Sequence, residues 1–501
     1  MMSGTLEAQP LCSAATFPKL PDVRILSVSA EKAPATHCEI AGVIGTETHF
    51  ELLLPDRWNG KFVMGGGGGF VGSVVNTALW YGALQRGYAT IGTDTGHRGN
   101  SLDASWALNN LERVVSFGHQ AVHRTAATGK ALTSAYYERD ISRSYFTGCS
   151  RGGGQALMEA QRYPDDFDGI VAGAPAYNWT VELGARNAWV NQAMYPDAGD
   201  LSLAVIGPQA QQLIGNAVMD QCDTLDGLKD GILNNPLQCK FDVSSLTCDG
   251  RKTKACLTEQ EVGAAKRIYD DLYIQGERMF PGMPVGAELD PLGWTLWFTG
   301  GLNLGTHVEN FQEGARAGSE FPGPVTPNAH FAFGNGVMKY LVYNDPDWSY
   351  VGYTFETFKA DVARVEQTLN ATNPDLKAFR ERGGKLLIWT GWGDMALSPL
   401  GTIEYYEKVL RHDAGAAEDV RLIMMPGVAH CAGGTGPYWV NFLDEIDKWV
   451  SSGEGPEQTT AYWLSKSKQP DGSRPVCAYP KYVKYNGSGN PRDASSFTCS
   501  D

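Results

Sequence analysis

A serine among glycines, an aspartate and a histidine give this chain the parts of an acyl-transfer site. The stretch Thr147-Gly148-Cys149-Ser150-Arg151-Gly152-Gly153-Gly154 contains Gly148-x-Ser150-x-Gly152. That spacing suits a nucleophilic serine on a sharp strand-to-helix turn, where a strained backbone demands small neighbours. Residues 144–147 upstream read as a short strand, and residues 155–160 downstream as the first turns of a helix. The helix N-terminus beneath the hydroxyl favours negative charge there. In a chain with 59 glycines the pattern alone is weak. Its flanks carry the reading.

A nucleophilic serine needs a general base and a group that orients it. Of nine histidines, His430 lies in the small-residue loop Pro426-Gly427-Val428-Ala429-His430-Cys431-Ala432-Gly433-Gly434, directly after an apolar strand. An acid follows the preceding strand in Gly391-Trp392-Gly393-Asp394. The order Ser150, Asp394, His430 is that of α/β-hydrolases. His97, His119 and His123 precede the serine and are expected to be hydrogen-bonded structural residues. The developing oxyanion needs donors. One is the backbone N–H of Arg151. A second is expected from Gly66 or Gly67, in the run Gly65 to Gly69, whose amides can approach a substrate closely. A phosphate loop would need a Gly-Lys-Ser/Thr or a dinucleotide fingerprint, and neither follows.

The elements that must hold these residues alternate as in an α/β protein. Strands are predicted at 50–54, 61–64 and 88–91, and at 168–172, 385–390 and 420–425. Helices are predicted at 119–137 and near 403–410. The sheet is expected to be largely parallel. Between about Tyr177 and Asp375 the rhythm breaks into Gly-, Pro- and aromatic-rich sequence. A structureless stretch of that length is implausible. The fold class is therefore an α/β-hydrolase core, residues 1–176 and 373–501, with a large inserted lid domain at 177–372. The tail after Pro456 reads as a loop-rich wrap.

The chain has 501 residues, 41 basic and 56 acidic, with a net charge of −15. No basic stripe and no membrane-length apolar run is present, so neither nucleic acid nor membrane is an expected partner. Ten cysteines occur without any C-x-x-C, which removes zinc-ribbon and thioredoxin readings. The near pairs Cys222–Cys239, Cys248–Cys256 and Cys477–Cys499 read as disulfides of a secreted or periplasmic protein, and Cys12–Cys38 is expected as another. The alternative is ten free thiols in a cytosolic enzyme. Met1 to Thr5 carry neither a basic nor an apolar segment and do not read as a signal peptide. Cys149 and Cys431 neighbour the serine and the histidine. If His430 reaches the Ser150 hydroxyl, the two cysteines come within the span of a disulfide.

In the lid, Cys222 and Cys239 bracket Asp223-Thr224-Leu225-Asp226-Gly227-Leu228-Lys229-Asp230-Gly231-Ile232. Three aspartates with glycine turns can surround a hard cation, calcium above all. It is not an EF-hand, because position twelve is Asn234. The competing reading is a solvated acidic turn.

Gly148-Cys149-Ser150-x-Gly152-Gly153, Asp394 and His430-Cys431 together resemble the tannase and feruloyl esterase family, which includes mono(hydroxyethyl) terephthalate hydrolases. The resemblance runs from about residue 36 to the C-terminus. It implies an α/β-hydrolase core and a lid after the strand ending near Ala174. It also implies a structural calcium held by Asp223, Asp226 and Asp230 and the backbone oxygens of Leu228 and Ile232. It points to the same Cys149–Cys431 bond. The implied activity is hydrolysis of esters of small aromatic acids, with no organic cofactor. Leu397 stands where terephthalate-ester hydrolases look to carry an aromatic, which points away from that substrate. Lid aromatics able to stack on an acyl group are Trp294, Trp297, Phe298, Phe331 and Phe333, although each also suits a lid core. The other readings are a terephthalate-monoester hydrolase, a calcium-binding protein on an inactive scaffold, and a cytosolic peptidase or acyltransferase.

Overall fold

The computed structural model describes residues 11–300 and 326–501. Met1 to Thr5 and part of the expected lid, residues 301–325, lie outside them. Strands follow in the order β1 (Val23–Glu31), β2 (His37–Ile44), β3 (Thr48–Pro55), β4 (Lys61–Gly65), β5 (Ala89–Thr93), β6 (Arg143–Ser150) and β7 (Gly169–Pro175). After the short hairpin β8 (Leu272–Ile274) and β9 (Glu277–Phe280) come β10 (Lys385–Gly391), β11 (Val420–Met425), β12 (Gln458–Leu464) and β13 (Pro470–Ala478). Eleven of these form one sheet in the order β1-β2-β3-β5-β4-β6-β7-β10-β11-β13-β12.

The middle of the sheet is buried on both faces, so its strands are continuous apolar runs. Alternate residues divide between two cores. Phe62, Met64, Phe146, Ile170, Leu386, Ile388 and Leu422 pack on one side. Val63, Tyr145, Val171, Leu387 and Ile423 pack on the other. From β5 to β11 the pairings are parallel. Both flanks are antiparallel. The expectation of a largely parallel sheet is thus corrected to a parallel centre between antiparallel wings. Within the wings β3 falls on the strand predicted at 50–54, whereas the edge strand β1 evades the sequence because it has no buried residue and lacks an apolar run.

The tail is corrected too. It is strand-rich: β12 and β13 extend the sheet, and β14 (Tyr482–Tyr485) pairs with β15 (Phe497–Ser500). Between β7 and β10 no described residue joins the main sheet. Trp179, Leu183, Ile214, Ile268, Trp294 and Leu341 from that stretch form a third apolar cluster. It is continuous with Phe70, Leu102, Phe117, Met395 and Leu397, which lie on loops of the sheet.

All ten cysteines pair: Cys12–Cys38, Cys149–Cys431, Cys222–Cys239, Cys248–Cys256 and Cys477–Cys499. No helix among the described residues is long and apolar enough to cross a membrane.

Candidate active site

Ser150 ends β6 and begins the helix Arg151–Arg162 with φ 62° and ψ −122°. A non-glycine residue at that φ is strained, and the surroundings must hold it. They do so by close packing of the turn. A Cβ at Gly148 would lie 2.5 Å from the Gly152 backbone, and one at Gly153 only 2.1 Å from the Gly173 carbonyl oxygen. The glycines therefore let the helix start directly against β6 and β7.

Asp394 follows β10 and is fully buried. Its Oδ1 accepts hydrogen bonds from the amides of Ala396 (2.9 Å) and Leu397 (3.0 Å). Its Oδ2 lies 2.8 Å from Nδ1 of His430. This contact fixes the ring and leaves Nε2 as the nitrogen available for proton transfer. His430, in the loop after β11, is 12 % exposed at its side chain. It lines the same cavity as Ser150. Trp297 meets the imidazole edge-on at 5.3 Å. The disulfide Cys149–Cys431, with Cα atoms 5.9 Å apart, closes one wall.

The cavity, of about 120 Å³, is mostly apolar: Val75, Trp80, Leu102, Leu296, Trp297 and Phe333 line it with Gly67, Gly68 and Gly69. No Lys or Arg is among its described lining residues. Of the five lid aromatics singled out in the sequence, only Trp297 and Phe333 reach it. Trp294 and Phe298 are core. Phe331 packs on Tyr195 and Tyr350. Trp80, in the short 3-10 helix Thr77–Tyr81, and the loop residues Val75 and Leu102 carry no periodic sequence signal.

The glycine loop departs from expectation at Gly66. Its N–H continues the β4–β6 ladder to the Thr147 carbonyl at 2.8 Å, so it does not face the cavity. The N–H of Gly67 donates to Oε1 of Gln155 at 3.0 Å. Gln155, five residues after the serine, thereby shapes the loop, and no sequence motif marks it. The N–H of Arg151 is the first of its helix and has no partner within it. The Arg151 side chain points away into the core. There it donates to the carbonyl oxygens of Phe117 and of Gly118 (3.0 Å) and stacks on Phe117. Burial pushes this guanidinium down to about 9.

Beneath the acid, Glu182 receives a hydrogen bond from the Ser398 amide at 2.7 Å. Burial pushes its carboxyl up to about 8. Of the other histidines, His97 is buried against Trp106 with Nε2 at 2.9 Å from the Phe70 carbonyl oxygen. His119 meets the Tyr163 hydroxyl at 2.6 Å. His123 meets Asp166 at 2.7 Å.

The acidic loop lies apart from this cavity. Asp223 and Asp226 are buried, and each carboxylate accepts hydrogen bonds from its own set of backbone amides. Asp223 accepts from Gly231 (2.8 Å), and Asp226 accepts from Leu228 (3.1 Å) and Asn234 (3.2 Å). Burial pushes the Asp226 carboxyl up to about 6. Asp230 accepts from Arg474 of β13 at 2.7 Å and from the Ile232 amide at 3.2 Å. Two buried carboxylates without a cationic side chain within 4.0 Å, among the described residues, suit a hard cation. The three carboxylates are not drawn into one tight cluster: among the described residues, the one set of three acid, histidine or cysteine ligand atoms within 4.8 Å of one another lies elsewhere.

A sheet with this strand order and a serine turn at the end of a central strand makes the protein an α/β-hydrolase. The family is set by comparison. The model of the tannase and feruloyl esterase family matches residues 35–500, and the chain belongs to that family of carboxylic ester hydrolases. Mono(2-hydroxyethyl) terephthalate hydrolase of Piscinibacter sakaiensis is 32% identical over 94% of this chain and 87% of its own length. Feruloyl esterase B of Aspergillus niger is 31% identical over 90% of this chain and 83% of its own. The crystal structure of feruloyl esterase B from Aspergillus oryzae superposes with a TM-score of 0.81 at 26% identity, covering 96% of this chain and 98% of that one.

Proposed function

We propose that this chain is a serine esterase for esters of small aromatic acids, working through an acyl-enzyme with Ser150, His430 and Asp394 as triad. The observation that carries the reading is the His430–Asp394 contact of 2.8 Å beside a strained Ser150 on one apolar cavity. The Ser150 hydroxyl attacks the ester carbonyl carbon as His430 takes its proton. The proton then passes to the leaving alcohol as the C–O bond breaks. Water, deprotonated by the same imidazole, cleaves the acyl-enzyme and releases the acid. Asp394 holds the ring and balances the imidazolium charge. The oxyanion is met by the Arg151 N–H and by the amide of Gly68 or Gly69, which line the cavity, since the Gly67 N–H is held by Gln155.

Trp297 and Phe333 offer an aromatic acyl group its stacking surface. The terephthalate reading is less supported. A monoester of that diacid carries a second carboxylate, and the described lining supplies no cation for it. Feruloyl-type acids carry no such charge. Five disulfides favour an exported enzyme. We also assign calcium to the loop of Asp223, Asp226 and Asp230, with the backbone oxygens of Leu228 and Ile232. The ion would tie the lid to the tail through the neighbouring Arg474.

Purified Ser150→Ala is the test. It should retain its melting temperature and lose on the order of 10⁴-fold or more of turnover on methyl ferulate. Turnover near that of the parent enzyme sinks the assignment. A side-by-side comparison with mono(2-hydroxyethyl) terephthalate should favour methyl ferulate. For the calcium loop, chelator should lower the melting temperature, and Asp226→Ala should already show that loss. An unchanged curve in excess chelator removes the ion.

A further inference from the structure

Away from the cavity, three side chains from three segments converge. His123 on the helix Ala121–Tyr137, Glu159 on the helix Arg151–Arg162 and Asp166 in the turn before β7 each present a ligand atom, all within 4.8 Å of one another. Glu159 is 1 % exposed. Neither of its carboxylate oxygens has a hydrogen-bond partner. The polar group it faces is the Asp166 carboxylate, an acceptor like itself. Two acceptors facing each other out of water are unfavourable unless something positive stands between them. Lys130 supplies only part of it, through an ion pair with Asp166. Its ammonium donates to the Asp166 backbone oxygen and stays 3.7 Å from Asp166 Oδ1, without bonding Glu159.

We propose that His123, Glu159 and Asp166 bind a divalent transition-metal ion of the zinc type. The donor set decides the class. One imidazole nitrogen with two carboxylates suits Zn²⁺ and its neighbours, whereas Ca²⁺ takes oxygen ligands. Ligands about 2.1 Å from a shared ion stand at most about 4.2 Å apart. The observed cluster reaches that with small side-chain movements. His123 Nδ1 already lies 2.7 Å from Asp166 Oδ2. Its ring is stacked on Tyr163 at 4.0 Å, nearly parallel, and so is held in plane. The Tyr163 hydroxyl is in turn engaged by His119 at 2.6 Å. The His123 side chain is 38 % exposed and Asp166 is 12 % exposed. An ion can therefore enter from that side and complete its shell with water.

Glu159 lies on the helix that starts at Ser150, about 13 Å further along its axis. The ion would not touch substrate. It would clamp the helix Arg151–Arg162, and with it the serine turn, to the helix Ala121–Tyr137.

The full chain, stripped with chelator and returned to saturating calcium, should be titrated with Co²⁺ and with Zn²⁺. One equivalent of Co²⁺ should bind with visible absorption bands, and Zn²⁺ should raise the melting temperature. Glu159→Gln should remove both effects, and so should His123→Gln at the half-buried edge of the site. No Co²⁺ uptake by the parent protein at millimolar concentration overturns the proposal; a proton shared by Glu159 and Asp166 then balances the charge. Uptake that survives in both variants overturns it equally, by placing the ion elsewhere.

Discussion

Cys149 and Cys431 bond the residue before the proposed nucleophile to the residue after the proposed base, with Cα atoms 5.9 Å apart and a separation of 282 in the chain. Each belongs to a strained turn: Ser150 has φ 62° and Cys431 φ 64°. The bond therefore fixes the relative placement of two loops that share no strand.

For this reason Cys149→Ala with Cys431→Ala should lower activity on methyl ferulate before the fold is lost. The chain-entropy estimate for so long a loop is about 5 kcal/mol, so the melting temperature should fall as well. Cys248→Ser with Cys256→Ser, which opens a separation of only 8, should leave turnover nearly intact. Turnover measured below both melting transitions separates the two. Equal losses in both double variants would falsify the tether.

Glu182 gives the protein a pH-dependent stability of defined sign. An unfolded glutamate titrates near 4.3 on average, whereas here burial raises the carboxyl to about 8. Between these values the folded protein keeps a proton that the unfolded chain has released. The contribution is complete below the lower value, declines as pH rises, and is gone above the higher one. Glu182→Gln keeps an acceptor for the Ser398 amide without the titration. Melting curves from pH 5 to 9 should fall more steeply for the parent protein than for the variant. Parallel curves would remove the buried proton.

Trp297 stands edge-on to His430 at 5.3 Å and lines the cavity. Trp297→Ala should lower kcat/KM on methyl ferulate by roughly tenfold to a hundredfold, with little change on p-nitrophenyl acetate, whose acyl group is too small to stack. A uniform loss on both esters would place Trp297 in support of the histidine instead of the acyl group.

What could be read in the sequence was whatever leaves a local mark. The serine turn shows because its glycines are obligatory, and β4, β6, β7, β10 and β11 show because burial on both faces makes their centres apolar. Asp394 and His430 follow from their places after β10 and β11. Of the antiparallel wings β3 is legible, whereas β1 is half solvated and β12 and β13 carry no regular alternation. The commitment of the Gly66 amide to Thr147 depends on strand register, which composition does not encode. The cavity wall formed by Trp80, Val75 and Leu102 depends on how one loop folds over another. Glu159 passed unnoticed for a related reason: a glutamate on a helix reads as solvated until its neighbours are known.

The chain leaves the sheet after β7 and returns only at β10, so Ser150 is made long before Asp394 and His430 exist. At about 5–20 residues per second, the interval between residues 150 and 430 lasts on the order of tens of seconds. Throughout it Cys149 is a thiol without its partner, while Cys12 and Cys38 are already present to compete for it. With the proposed triad, a nascent or truncated chain that stops short of β11 would be an inert esterase and a candidate for mispaired bridges. On that triad, the time at which hydrolysis begins is set by the last quarter of the polypeptide.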